Sequence, residues 1–187
     1  MRLVCFVSVA ALALAAGATS AEDTVPNPEF TGWAKFKKGT SVTVKTTTTG
    51  GGTTSETLST SQLVEVGPDK LVIEYVSVTT VNGMELKLPT SQREIPKSLP
   101  LPKGAKKGDP PPKPPVPTET GAETLKIIGL ELKTTWSKNK VEVAGTTSES
   151  KVWMSDEVPG AMVKMESTVT GVVNSTTKTE LVEIKKP

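Results

Sequence analysis

A chain without histidine must draw its proton-transfer groups from Ser, Thr, Lys, Tyr, Asp and Glu, and this chain has no histidine and a single cysteine, Cys5. His-based triads, imidazole metal sites and imidazole pH switches are excluded, and a lone thiol supports neither a disulfide framework nor a thiolate zinc site. The strings that could still do chemistry are few. Ser148-Glu149-Ser150-Lys151 has the Ser-x-x-Lys spacing that on a helix sets a lysine beside a serine nucleophile, but its setting is a strand or hairpin. Asp156 and Glu157 are adjacent, and neighbouring acids in a strand or turn diverge. Glycoside hydrolysis needs two carboxylates roughly 5 to 10 Å apart across a cleft, and no such pair stands out. Gly50-Gly51-Gly52 lacks the Lys-Ser/Thr and the helix of a phosphate loop and reads as a hairpin turn. Asn174-Ser175-Thr176 is a sequon, relevant only in a host that glycosylates. The residues assign no catalytic group, cofactor or metal, and a non-enzymatic role is expected.

Side chains that could bind are aromatic or basic. Trp136 is in phase with Leu130 and Leu132, which favours the core, and Trp33 with Phe30 and Phe36 is expected to plug one end of a sheet. Trp153 alternates with Val152 and Met154, so its face is open, and it is the best aromatic for a ligand surface. Residues 96–117 hold nine of the 15 prolines with Lys97, Lys103, Lys106, Lys107 and Lys113. Such a segment has little to bury and predicts an extended or disordered excursion. It reads either as a tolerated insertion or as a strip that lies in a partner's groove or along an anionic polymer.

The elements that must position these residues are strands. Val42, Val44, Thr46 and Thr48 share one parity, and period two returns at Leu58–Val66, Met84–Leu88, Leu125–Ile127, Leu130–Trp136, Val141–Val143, Val163–Val169 and Val182–Ile184. Leu71 to Val78 is apolar on both faces and predicts a central strand. Turn signals fall between the runs at Gly50–Gly52, Gly67-Pro68-Asp69, Asn82-Gly83, Lys138-Asn139, Pro159-Gly160 and Gly171. The expectation is an all-β antiparallel meander of about nine or ten strands, forming a curved sheet, half-barrel or open barrel with little or no helix. Gly52–Thr57 recurs as Gly145–Ser150 in like context, which fits either two related halves or chance in a Thr-rich chain. The division is a signal peptide over 1–21, a first β half over 22–95, a Pro/Lys-rich loop over 96–122 and a second β half over 123–187, with both halves in one domain.

Arg2, the apolar run Leu3–Ala16 and the small residues at 18–21 make that leader a secretory signal, since about 14 apolar residues fall short of the roughly 20 that cross a bilayer. Cleavage would remove Cys5 and leave no transmembrane segment. A secreted chain without disulfides fits a bacterial envelope or periplasm, and about 166 residues suffice for a core built by burial alone. The formal charge is +2 with Arg2 included, which gives no global pull towards nucleic acid or an anionic membrane.

The stretch Trp153 through Ser155-Asp156-Glu157-Val158-Pro159-Gly160 to Val163-Lys164, with Trp33-x-x-Phe36-x-x-Gly39-Thr40-Ser41-Val42, resembles uncharacterised secreted bacterial proteins. Their sheets are similar to the half-barrel of the periplasmic lipoprotein-localisation carriers. The resemblance implies a concave face that carries a ligand, and it implies a second glycine where this chain has Ala161. The expected function is a secreted or periplasmic binding or carrier module for a lipid-like or polymeric envelope component. The alternative is a structural module acting through sheet packing or homodimerisation, so that the partner is an envelope ligand, another protein or a second copy.

Overall fold

The computed structural model describes residues 24–101, 116–172 and 174–187. The expected leader, and Lys103, Lys106, Lys107 and Lys113, lie outside the described residues. In chain order the elements are β1 (Thr24–Pro26), α1 (Pro28–Trp33), β2 (Ser41–Gly50), β3 (Thr53–Val66), β4 (Lys70–Val81), β5 (Met84–Lys87), β6 (Ser91–Pro96), β7 (Ser98–Pro100), β8 (Glu119–Ile127), β9 (Leu130–Val143), β10 (Thr146–Met154), β11 (Met162–Thr170) and β12 (Ser175–Lys185). No helix among the described residues is long and apolar enough to cross a membrane.

Strands β1 and β7 form a small ribbon of their own. The other ten make one antiparallel sheet, in which β5 and β6 both lie beside β4 and the order runs on through β3, β2, β12, β11, β10, β9 and β8. Each half is a meander, and the two meet where β2 pairs with β12. The sheet stays open, with β8 at one edge and β5 and β6 at the other. This is the curved all-β sheet that the alternation predicts. The excursion expected over 96–122 is paired at both ends, since Pro96 closes β6, Ser98–Pro100 is β7 and Glu119 opens β8. Proline is tolerated in β7 because a two-stranded ribbon is all edge.

Four hairpins turn on two residues with positive φ: Gly51-Gly52, Asn82-Gly83, Ile128-Gly129 and Ala144-Gly145. Their twist matches that of the strands they join. The turn expected at Lys138-Asn139 is instead the middle of β9, and the chain reverses at Ala144-Gly145 because glycine there accepts φ 77°.

The core gathers at the end of the sheet opposite the tips at 51–52, 82–83 and 144–145. Val42, Leu63, Leu71, Ile73, Ile95, Leu132, Val163 and Leu181 are buried there, with Trp33 from α1, Trp153 from β10 and Val158 from the 155–161 loop. Phe30 and Phe36 pack against it, as expected of an end plug. The helix is fixed by Asn27, whose Oδ1 accepts from the Glu29 N–H at 3.0 Å while its Nδ2 donates to Pro96 O at 2.8 Å. Alternation misassigns several apolar residues: Leu58, Val66, Met84, Leu86, Leu88, Val141 and Val143 are exposed. Most of them lie towards the hairpin tips, beyond the reach of α1 and the 155–161 loop. A bulge at Val182 also moves the phase of β12, so that Val182 is exposed between the shielded Leu181 and Ile184.

Candidate functional site: an uncharged concave face

Cross-strand partners share a face, so the register sorts every side chain of the sheet. One row crosses all nine strands from β5 to β8: Leu86, Thr79, Thr57, Thr46, Thr179, Met165, Val152, Ser137 and Thr120. The next row towards the hairpin tips is Met84, Val81, Ser55, Thr48, Thr177, Ser167, Ser150 and Asn139, and the next is Thr53, Gly50, Ser175, Val169, Ser148 and Val141. None of these residues is charged. The row on the other face, between the first two, is Glu85, Thr80, Glu56, Thr47, Lys178, Glu166, Lys151, Lys138 and Glu119. Seven of its nine members are ionised, and ion pairs such as Lys45–Glu56 at 2.7 Å and Lys164–Glu166 at 2.9 Å run over this surface.

Exposure shows which way the sheet bends. On β3, Ser55, Thr57, Ser59 and Ser61 are half-buried, whereas Thr54, Glu56 and Leu58 on the opposite face are exposed. On β12, Thr177, Thr179 and Leu181 are shielded while Lys178 and Glu180 are exposed. Over β3 and β12 the uncharged face is therefore the shielded, concave one, whereas on β8 and the first half of β9 shielding passes to the other face, which carries Gly121, Leu125, Leu132 and Thr134. At a strand spacing of about 4.8 Å the row through Thr46 spans roughly 38 Å along its arc. Hydroxyls on its floor contact one another across strands: Thr46 with Thr179 at 3.0 Å, Thr48 with Thr177 at 3.3 Å, Thr57 with Thr79 at 3.0 Å and Ser59 with Ser77 at 3.0 Å. Each such pair consumes one donor and leaves one O–H. The floor is neutral and weakly polar, flanked by the exposed Met84 and Leu86 on β5 and Val141 and Val143 on β9.

Towards the core the trough ends in a cavity of about 290 Å³ between the sheet, α1 and the 155–161 loop. Val42, Val44, Trp33 and Met162 line its apolar part, and Ser59, Ser61, Tyr75, Arg93 and Glu29 its polar part. Arg93 Nη2 donates to the Glu29 carboxylate and to Tyr75 Oη, the latter at 3.0 Å. Those hydrogen bonds, Glu29 first, hold the guanidinium above its ordinary range. Arg93 faces the concave side, but one row or more beyond the uncharged floor.

Among the described residues, the three predicted ligand tryptophans do not converge on this trough. Trp153 is 5% exposed and belongs to the core, which settles its open face: it lies with Trp136, Gly121 and Lys164 in one row of the convex side. Its Nε1 donates to Glu123 Oε1 at 2.6 Å, and the Lys151 and Lys164 ammonium groups sit 4.5 and 4.8 Å from its ring centroid. Lys151 also stands 4.0 Å from the Trp136 centroid, and Trp136 is half-buried. Paired and covered in this way, Trp153 presents no stacking surface. Of the three tryptophans, Trp33, 4% exposed, borders the trough, through the closed-end cavity. Ser148 and Lys151 are three apart on β10 and point to opposite faces, so the Ser-x-x-Lys string is not brought together. Asp156 is a solvated acid paired with Lys35 at 3.0 Å. The residues the sequence reading missed are the small ones, the threonines and serines of the floor.

No protein family, curated protein or solved structure matches the chain.

Proposed function

We propose that this is a non-enzymatic binding or carrier module of the bacterial envelope, which holds an extended, uncharged portion of a lipid-like or polymeric component in its concave trough. One observation carries the reading: ionised side chains, plentiful on the convex face, are absent from three successive rows of the concave one. A charge placed against a low-polarity ligand would lose its hydration, so a surface selected to hold such a ligand excludes charge. A surface needing only solubility has no such reason. The exposed aliphatic side chains on β5 and β9 add apolar contact at the flanks, and exposed apolar patches mark binding surfaces. Export to the envelope rests on the Arg2 and Leu3–Ala16 leader.

The test compares two faces at one level of the sheet. Thr48→Glu puts a carboxylate on the trough floor, and Thr47→Glu puts the same group on the convex side. Calorimetric titration with an alkyl maltoside, kept below its micellar concentration, and with a soluble neutral glycan reads out both ligand classes. The unmodified protein and Thr47→Glu should bind one of them alike, with Thr48→Glu at least about tenfold weaker. Equal binding by the two variants, or no binding of either probe by any form, overturns the reading.

A further inference from the structure

The outer edge of β5 is open among the described residues: this hairpin strand has a sheet neighbour, β4, on one side and none on the other. The Leu88 N–H continues the ladder inward, donating to Ser77 O at 3.0 Å. Residues of an antiparallel strand alternate in the direction of their backbone groups, so Met84, Leu86 and Leu88 bond towards β4 while Glu85 and Lys87 offer N–H and C=O outward. The sequence Met84-Glu85-Leu86-Lys87-Leu88 is palindromic in polarity about Leu86, with charges of opposite sign at the two flanking positions.

From this we infer that the protein forms a twofold dimer in which β5 of one copy pairs antiparallel with β5 of a second copy about Leu86. In that register Glu85 faces Lys87 of the second copy twice over, and both pairs are backbone-bonded. Leu86 meets Leu86 on the axis, in the non-bonded position where side chains come closest. Centring the pair on Glu85 would set carboxylate against carboxylate, and centring it on Lys87 ammonium against ammonium, so charge selects one register. The interface is isologous and closes as a dimer.

Exposure agrees with this occupant. Met84 is 74%, Leu86 62% and Leu88 44% exposed, all on the concave side. Dimerisation would place six such side chains next to one another and run the two troughs together. Another open segment, Asn139–Val143 of β9, has a similar alternation, but there Lys140 is already 3.0 Å from Glu142 and 3.7 Å from Glu149. Glu85 and Lys87 form no ion pair among the described residues. An edge strand this short is weak alone, and charge complementarity is what would make it specific.

Charge swaps on exposed residues test the register without threatening the fold. In sedimentation equilibrium at low salt the unmodified protein should dimerise, and Glu85→Lys and Lys87→Glu should each weaken self-association at least about tenfold, since both set like charges opposite. Mixed one to one, the two variants should form a heterodimer as tight as the original, because every 85–87 pair is then complementary. Circular dichroism confirms that each variant is folded. An unmodified protein monomeric at the highest soluble concentration overturns the inference. So do single variants that associate as before, or a mixture that stays monomeric.

Discussion

Replacing Gly121 with alanine puts a number on how tightly the β8 edge is held. A Cβ built at Gly121 would stand 2.6 Å from both Cε2 and Cζ2 of Trp136 and 2.8 Å from its Nε1. Ordinary carbon contacts begin near 3.5 Å, so the indole must retreat by about 1 Å. It has little room, because the Lys151 ammonium lies 4.0 Å from the ring centroid and Trp153 is its cross-strand neighbour. Overpacking of this kind costs about 1–3 kcal/mol, and a displaced Lys151–Trp136 contact about 0.5–1 kcal/mol more. Against this, alanine restricts the unfolded chain and returns about 0.4–1 kcal/mol. The net is a loss of roughly 1.5 kcal/mol, or about 3–6 °C in Tm for a domain of this size. Urea unfolding followed by circular dichroism measures it, with Trp136→Ala as the second arm of a double-mutant cycle. Without the indole the added methyl meets open space, so Gly121→Ala should then be neutral or stabilising. An unchanged Tm in the parent, or an equal loss in both backgrounds, would refute the account of Gly121 as the seat of Trp136.

Leu132→Asp should abolish the cooperative thermal transition, because Leu132 is 2% exposed among apolar neighbours and an unpaired carboxylate there cannot be hydrated; a retained transition would mean the site is open. Ala161→Gly should raise stability by about 0.5–1 kcal/mol in urea unfolding, since Ala161 has φ 65° and the left-handed conformation costs a non-glycine residue about 1–2 kcal/mol, partly offset by the freer unfolded chain. Ile128→Asn should also raise the urea midpoint: Ile128 is half-exposed with φ 50° in a two-residue turn, where a β-branched side chain is strained and asparagine is favoured. A lower midpoint for either variant would show that packing, not backbone strain, governs that turn.

What the sequence disclosed and what it concealed have one physical cause. Strand alternation is carried by residue type, so Val42, Val44, Thr46 and Thr48 announce β2 and its shared face without any tertiary information. Turn positions follow where only small residues fit, as at Asn82-Gly83. Choosing which face is inside is different, because it depends on what covers the sheet. Apolar Met84, Leu86 and Leu88 alternate as a buried face would and are exposed, while Thr57 and Ser59, out of phase with the Leu58–Val66 alternation, line the trough. Hydrophobicity could not decide, since the concave face mixes threonine with aliphatic residues. Charge parity does better over the half of the sheet nearer the hairpin tips: Lys45, Glu56, Glu85, Lys87, Lys138, Lys140, Glu142, Glu149, Lys151, Lys164, Glu166, Lys178 and Glu180 fall on the convex face there, whereas Lys126, Glu131 and Lys133 at the other end of β8 and β9 fall on the opposite one. Ionised groups tolerate only the solvated side, whereas threonine and valine accept either, so in a sheet this poor in large apolar residues charge marks the outside more reliably than hydrophobicity marks the inside. Trp153 shows the limit of that rule, for its burial depends on Glu123, Lys151 and Lys164 arriving from three strands, a coincidence visible only once the register is known.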